Sequence, residues 1–390
     1  MSTPTPALPS HPFWLVGFRP FFTLACVSGA LLPVLWAVMF SGKLAPAGTM
    51  APMQWHAHEM FYGFGWAVLG GFLLTASKNW VGIRGYHGPA LMLLVAAWLL
   101  ERAVLWWAGS LPPALFWAGA MAFPLAIVAM LLATLIGHRQ TDSFADNHYF
   151  WIALPAFVLA KLLLLLPEHF ALGTSMSLAL FRIAFLVMLE RTVTQFMKNT
   201  HKVQIFRHPR LDGAIKLLAL ALVPEALLPA PLAATLALAV AALLAFRFAR
   251  WAPGKGMSSL DTGVMYLGYL AILLQLLLQA WGRLGDTPWL GSLPTHVFTF
   301  GAMGLVIPAM LVRISKGHTG RKVSFEPGDK AVLWIMVAAA LARLLLPQVA
   351  PGQYTAWIHL SATCWLAAFA LLGWRIIPFL WQPRVDGREH

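Results

Sequence analysis

The chain has 390 residues, of which 59% are hydrophobic and only 11% charged, with 27 Lys and Arg set against 14 Asp and Glu. So little charge cannot cover the surface of a soluble domain of this length, so the composition reads as an all-α, polytopic membrane bundle. Two cysteines, Cys26 and Cys364, exclude a disulfide framework and a Cys-rich zinc or iron–sulfur site, and a net charge of +13 spread over short loops excludes nucleic acid as a partner and reads as a topology signal.

Taken in chain order, the first twelve residues hold four prolines and no charge, which predicts a disordered tail and no cleavable leader. Twelve apolar runs then follow, each long enough to cross a hydrocarbon core of roughly 30 Å. They lie at 18–40, 56–77, 88–108, 112–136, 148–166, 172–195, 212–229, 231–249, 261–281, 294–313, 330–347 and 354–380. Pro224, Pro229 and Pro231 crowd the seventh and eighth, which could also form one re-entrant pair. The expected layout is a tail at 1–17, one membrane domain at 18–381 and a second tail at 382–390. Nearly all basic residues fall in the even connections and at the C-terminus. The odd connections carry only Lys43 and Arg283, which places both termini in the cytoplasm.

That topology gives each polar residue a depth. The second run opens at its outer end with Trp55-His56-Ala57-His58-Glu59-Met60-Phe61-Tyr62. His296 opens the tenth run at the same level, and His359 lies about two turns into the twelfth. Glu101, Arg102, Arg182, Glu225 and Arg343 share this outer layer. Ionisable groups in a span are costly enough to imply a partner or a function.

At about 100° per residue, His56 and His58 lie roughly 200° apart, so they are expected to face two different centres. The three- and four-residue rule puts Glu59 on the face of His56 and Tyr62 on that of His58. Imidazole suits iron, copper and zinc, and haem iron accepts one or two axial histidines. His56, His58, His296 and His359 are therefore candidate ligands. Glu59, Glu101 and Tyr62 are candidate proton donors at such a centre. Arg102 and Arg343 would hold haem propionates or pair with the glutamates. His318, inside Arg313-Ile314-Ser315-Lys316-Gly317-His318-Thr319-Gly320-Arg321, sits in a basic turn on the opposite face, suited to an anion, a lipid headgroup or a metal.

The motif Trp55-His56-Ala57-His58-Glu59-Met60, followed by Gly71-Phe72-Leu73-Leu74-Thr75-Ala76 and Asn79-Trp80-Val81-Gly82, resembles the NnrS family. So do Phe18-Arg19-Pro20-Phe21-Phe22 near the start and His296-Val297-Phe298-Thr299-Phe300-Gly301-Ala302-Met303-Gly304 later on. One departure is Leu189-Glu190-Arg191-Thr192, where members often carry a Gly-Arg pair and a proline. The resemblance implies a twelve-span protein of the bacterial inner membrane that contains haem b and copper, is linked to denitrification and protects against nitric oxide. It marks His56, His58, His296 and His318 as motif positions. The expected partners are nitric oxide, membrane lipid and an electron donor of unknown identity. Two rival readings are a transporter and an assembly factor handling haem or copper, for which Met39, Met50 and Met53 would be soft ligands.

Overall fold

The computed structural model describes residues 11–285 and 287–389, and no strand occurs among them. We number the main helices α1 Phe18–Phe40, α2 Pro52–Val81, α3 Pro89–Trp106, α4 Pro113–Gly137, α5 Tyr149–Leu165, α6 Phe170–Thr200, α7 Pro209–Ala221, α8 Ala230–Ala249 and α9 Leu260–Leu284. Then come α10 (Leu293–His296, a π-helical Val297–Met303 and Gly304–His318), α11 Pro327–Val349 and α12 Tyr354–Trp381. Proline opens α2, α3, α4, α7 and α11. Its missing N–H falls where a helix has no internal acceptor, and its fixed φ suits the first turn. That is why α2 starts at Pro52, earlier than hydropathy alone suggests.

Among the described residues, eleven helices are long and apolar enough to cross a membrane. The expected seventh run departs from this. Helix α7 has 13 residues and at 1.5 Å per residue spans about 20 Å, short of the roughly 30 Å core. It ends before Pro224, and a short 3₁₀ turn, Glu225–Leu227, follows. The segment nonetheless runs along α6 from Glu190 to Ser175: Asp212 and Lys216 belong to a charged cluster around Glu190 of α6, whereas Glu225 accepts from Ser175 near the start of α6 at 2.9 Å.

Helices α2, α6 and α10 form the centre, with 78%, 72% and 78% of their apolar windows buried, against 33% for α3. The motif residues therefore sit on the innermost elements. Close approach at the centre depends on absent side chains: a Cβ on Gly268 of α9 would lie 2.4 Å from Val306 of α10. Helix α1 packs most extensively on α12 and also on α2. Two of the sequence motifs serve this packing. Arg19, fully buried, donates to the carbonyls of Leu380 (2.9 Å) and Gln382 (2.7 Å), and the Phe18 N–H donates to Thr75 Oγ1 at 2.9 Å.

Both described ends of the chain thus meet on one face of the bundle, here called the terminal face; the opposite one is the far face. Of the expected N-terminal tail, residues 1–10 lie outside the described residues, and 11–17 are built into the fold. Phe13 is buried and stacks on Trp381 at 4.3 Å between centroids. The C-terminal tail also docks: Arg384 donates to the His318 carbonyl at 2.9 Å, and the Val385 N–H to the Thr319 carbonyl at 3.0 Å. Arg384 holds the Asp386 carboxyl down at about 2 through a charge-assisted hydrogen bond.

Candidate functional site

The two histidine motifs share a local feature. Directly after His58 and directly after His296 the helix widens into a seven-residue π-helix, Glu59–Gly65 and Val297–Met303. Such segments are rare and recur at functional sites, because the wider turn re-aims side chains and frees carbonyls. Here the Gly63 carbonyl accepts from the Trp98 indole at 3.2 Å. A Cβ on Gly63 would lie 2.7 Å from Glu59 Oε2, so glycine is what allows the carboxylate to sit there.

One side of α2 carries a buried ionic network. His58 places Nδ1 3.1 Å from Glu59 and Nε2 3.2 Å from Glu101. Arg102 bridges the two carboxylates, at 2.9 Å from Glu59 and 2.6 Å from Glu101, and lies over the Trp98 ring. Lys161 of α5 pairs with Glu101 and donates to the Ala120 carbonyl at 2.6 Å. His58, Glu59, Glu101 and Lys161 are all 0–1% exposed. The carboxylates of Glu59 and Glu101 lie against two cations, Arg102 and Lys161, which is what permits so many ionisable groups to lie buried together. The Tyr62 ring stacks on His58, but its hydroxyl is committed elsewhere, to the Phe157 carbonyl (3.1 Å) and Ser177 (2.7 Å).

The other side of α2 faces a different environment. His56 stacks on Trp36 of α1 (4.2 Å, 11°), and its buried Nδ1 has no hydrogen-bond partner. It lines a cavity of about 210 Å³ together with His296, Met53, Met60, Met303 and Trp365. His296 Nδ1 approaches the Ser292 carbonyl at 2.8 Å. Arg343 lies 3.2 Å from His296 Nε2 and also donates to Tyr354 at 3.0 Å. The structure therefore brings together His56, His296 and Arg343, from three separate helices, at the far face.

A second, larger cavity of about 570 Å³ opens at the terminal face, lined by α2, α6 and α10 and including His318, Arg191 and Arg313. Between the two lies an apolar slot of about 60 Å³ that shares Met303 with the first and Phe72, Met188 and Met310 with the second.

A model of the NnrS protein family matches residues 12–384, nearly the whole chain. The chain belongs to the NnrS family. No curated protein matches it. Membership makes this a membrane protein linked to the nitric oxide response.

The NnrS chain departs from several expectations about its site. His58 Nδ1 is taken by Glu59 at 3.1 Å, and Nε2, which makes no hydrogen bond, stands 3.2 Å from Glu101, so carboxylates occupy the space where a metal would approach the ring. Glu59 lies on the side of His58 and not of His56, where its carboxylate meets Arg102. Arg102 spends Nε on Glu59 and one terminal nitrogen on Glu101, which leaves only Nη1 without a partner. His359 faces away from the cavity, with Nε2 2.6 Å from Ser41 of α1. His318 lies at the opposite face from the other histidines. Of the methionines, Met53 lines the far cavity, while Met39 and Met50 are core packing. Sequence reading passed over Lys161, although a lone lysine inside an apolar run is itself a signal. It also passed over the charged cluster on Glu190, where Arg207, Lys216 and Arg247 converge.

Among the described residues no three His, Cys, Asp or Glu side chains converge as a metal site. The far cavity offers two imidazoles, one with an orphaned nitrogen, beside thioethers. That donor set suits a soft ion such as copper(I), but the volume is below the roughly 300–1,000 Å³ of cofactor sites, so a porphyrin does not fit it.

Proposed function

We propose that this protein handles nitric oxide in the bacterial cytoplasmic membrane and holds copper between His56 and His296, with haem b as its second cofactor. Two observations carry the copper site: His56 and His296, 240 positions apart in the chain, line one cavity, and the buried Nδ1 of His56 has no hydrogen-bond partner. The even number of crossings required by two ends on one face favours twelve spans, with α7 and its following turn as the seventh. The excess of basic residues on that face makes it cytoplasmic and the far face periplasmic.

Nitric oxide is small, neutral and lipid-soluble, so it reaches a site within the bundle through the bilayer. Bound copper would supply a redox-active ion with affinity for such a ligand. The chain's own residues exclude water with Met60, Phe64, Phe300 and Trp365, and Arg343 fixes the orientation of His296. Glu59, Glu101, His58 and Lys161 form a proton store on the opposite side of α2. Reduction of nitric oxide would draw on those protons and on an external electron donor; binding alone needs neither.

The test is metal content and optical spectra of the purified protein with and without nitric oxide. His56→Ala and His296→Ala should each lower copper at least tenfold. Copper retained by both variants rules the site out. A second reading, copper handling for delivery elsewhere, is favoured by Met53, which is half exposed at the rim of the same cavity. Copper that exchanges to a chelator within minutes would support it.

A further inference from the structure

The terminal-face cavity has no part in the copper site, yet its size lies inside the range of cofactor pockets. Its floor is apolar, made by Phe72, Met188, Met310 and Ile314. Its wall carries Arg191 and Arg313, with side chains only 9% and 7% exposed. Each spends one terminal nitrogen on a carboxylate, Arg191 on Asp146 at 2.8 Å and Arg313 on Asp261 at 2.6 Å. Arg191 Nε and Nη1 and Arg313 Nε are buried without any hydrogen-bond partner.

Unpaired buried donors are expensive, and guanidinium groups recognise carboxylates and phosphates best. The guanidinium groups lie against aromatic rings, Arg191 on Trp80 and Phe144 and Arg313 on Phe196 and Phe325, and both residues line the cavity beside its apolar floor, which fits a molecule with an apolar body and anionic groups at one edge. A phospholipid meets that description as well as a porphyrin dicarboxylate does. The discriminating residue is His318, which lines the cavity and whose ring packs on Phe18 of α1 at 5.5 Å between centroids.

Resting on the haem b part of the proposed function, we propose that this cavity, and not the histidine pair at the far face, receives the porphyrin. Arg191 and Arg313 would hold its carboxylates, and His318 would supply an axial nitrogen. The two cofactors then occupy opposite ends of one track through α2, α6 and α10, joined by the apolar slot.

The experiment measures haem per polypeptide and the oxidised and reduced spectra of the full chain in lipid nanodiscs. Ala76→Trp and, as a second cavity-filling variant, Thr192→Trp are expected to lose at least two thirds of the haem while remaining monodisperse. His318→Ala is expected to shift the Soret band, with added imidazole restoring it. The His56→Ala/His296→Ala double variant should keep its haem and lose its copper. Haem and spectrum unchanged in the first three variants, or haem lost with the far-face pair, overturns the proposal. So does native mass spectrometry showing an anionic phospholipid displaced by Ala76→Trp with haem unaffected. A wild-type protein that takes up no haem, even from added haemin, instead removes the haem b reading itself.

Discussion

Glu101 and Lys161 offer the sharpest test of the buried network. Replacing Glu101 by Gln removes the negative charge that Lys161 and Arg102 share and leaves two cations facing one carboxylate. Breaking a buried pair this way costs about 3–5 kcal/mol. Lys161→Met should cost toward the lower end, since Glu101 keeps Arg102 at 2.6 Å. At an unfolding entropy of about 2.1 cal/mol/K per residue, losses of 3–5 kcal/mol lower the melting temperature of a chain this size by roughly 4–6 °C. The double variant Glu101→Gln/Lys161→Met restores charge balance between Glu59 and Arg102. It should therefore fall short of the sum of the singles by about 2–3 kcal/mol. Thermal unfolding at a fixed scan rate in one detergent, followed by tryptophan fluorescence, reads all four proteins. Additive losses would refute the claim that these groups form a single coupled unit.

Gly63→Ala should destabilise by about 1–3 kcal/mol, because its Cβ would press on Glu59 Oε2 at 2.7 Å; a denaturant midpoint unchanged from wild type would contradict this. His359→Ala should leave copper content at the wild-type level, since that ring faces Ser41, and elemental analysis alongside His56→Ala decides it. The Asp386–Arg384 clamp has its own pH signature. The Asp386 carboxyl titrates at about 2, below its ordinary 3.8. Its contribution to tail docking is therefore complete above about pH 4 and fades as pH falls toward 2. Hydrogen exchange at residues 383–389 should stay slow down to about pH 4 and quicken below it, and a transition near neutrality would show that another group governs docking.

Much of the architecture was legible before any coordinates. Runs of some twenty apolar residues must form helices in lipid because every backbone polar group needs an internal partner, and prolines mark where several of them start. Charge asymmetry between alternate loops and the shared depth of His56 and His296 follow from counting along the chain. The opposite facing of His56 and His58 also came from helical geometry alone. What the one-dimensional pattern could not decide was who stands next to whom. Whether His58 meets a metal or two carboxylates depends on α3 and α5 being its neighbours, with Glu101 and Lys161 carried in from 43 and 103 residues away. Whether His359 joins the histidine pair depends on the rotation of α12 against α1. The π-helical turns after His58 and His296, and the volumes of the two cavities, are likewise set by packing among α2, α6 and α10. Helix formation is local and leaves its period in the sequence. Helix adjacency and rotation are settled only by the collective fit of side chains far apart in the chain.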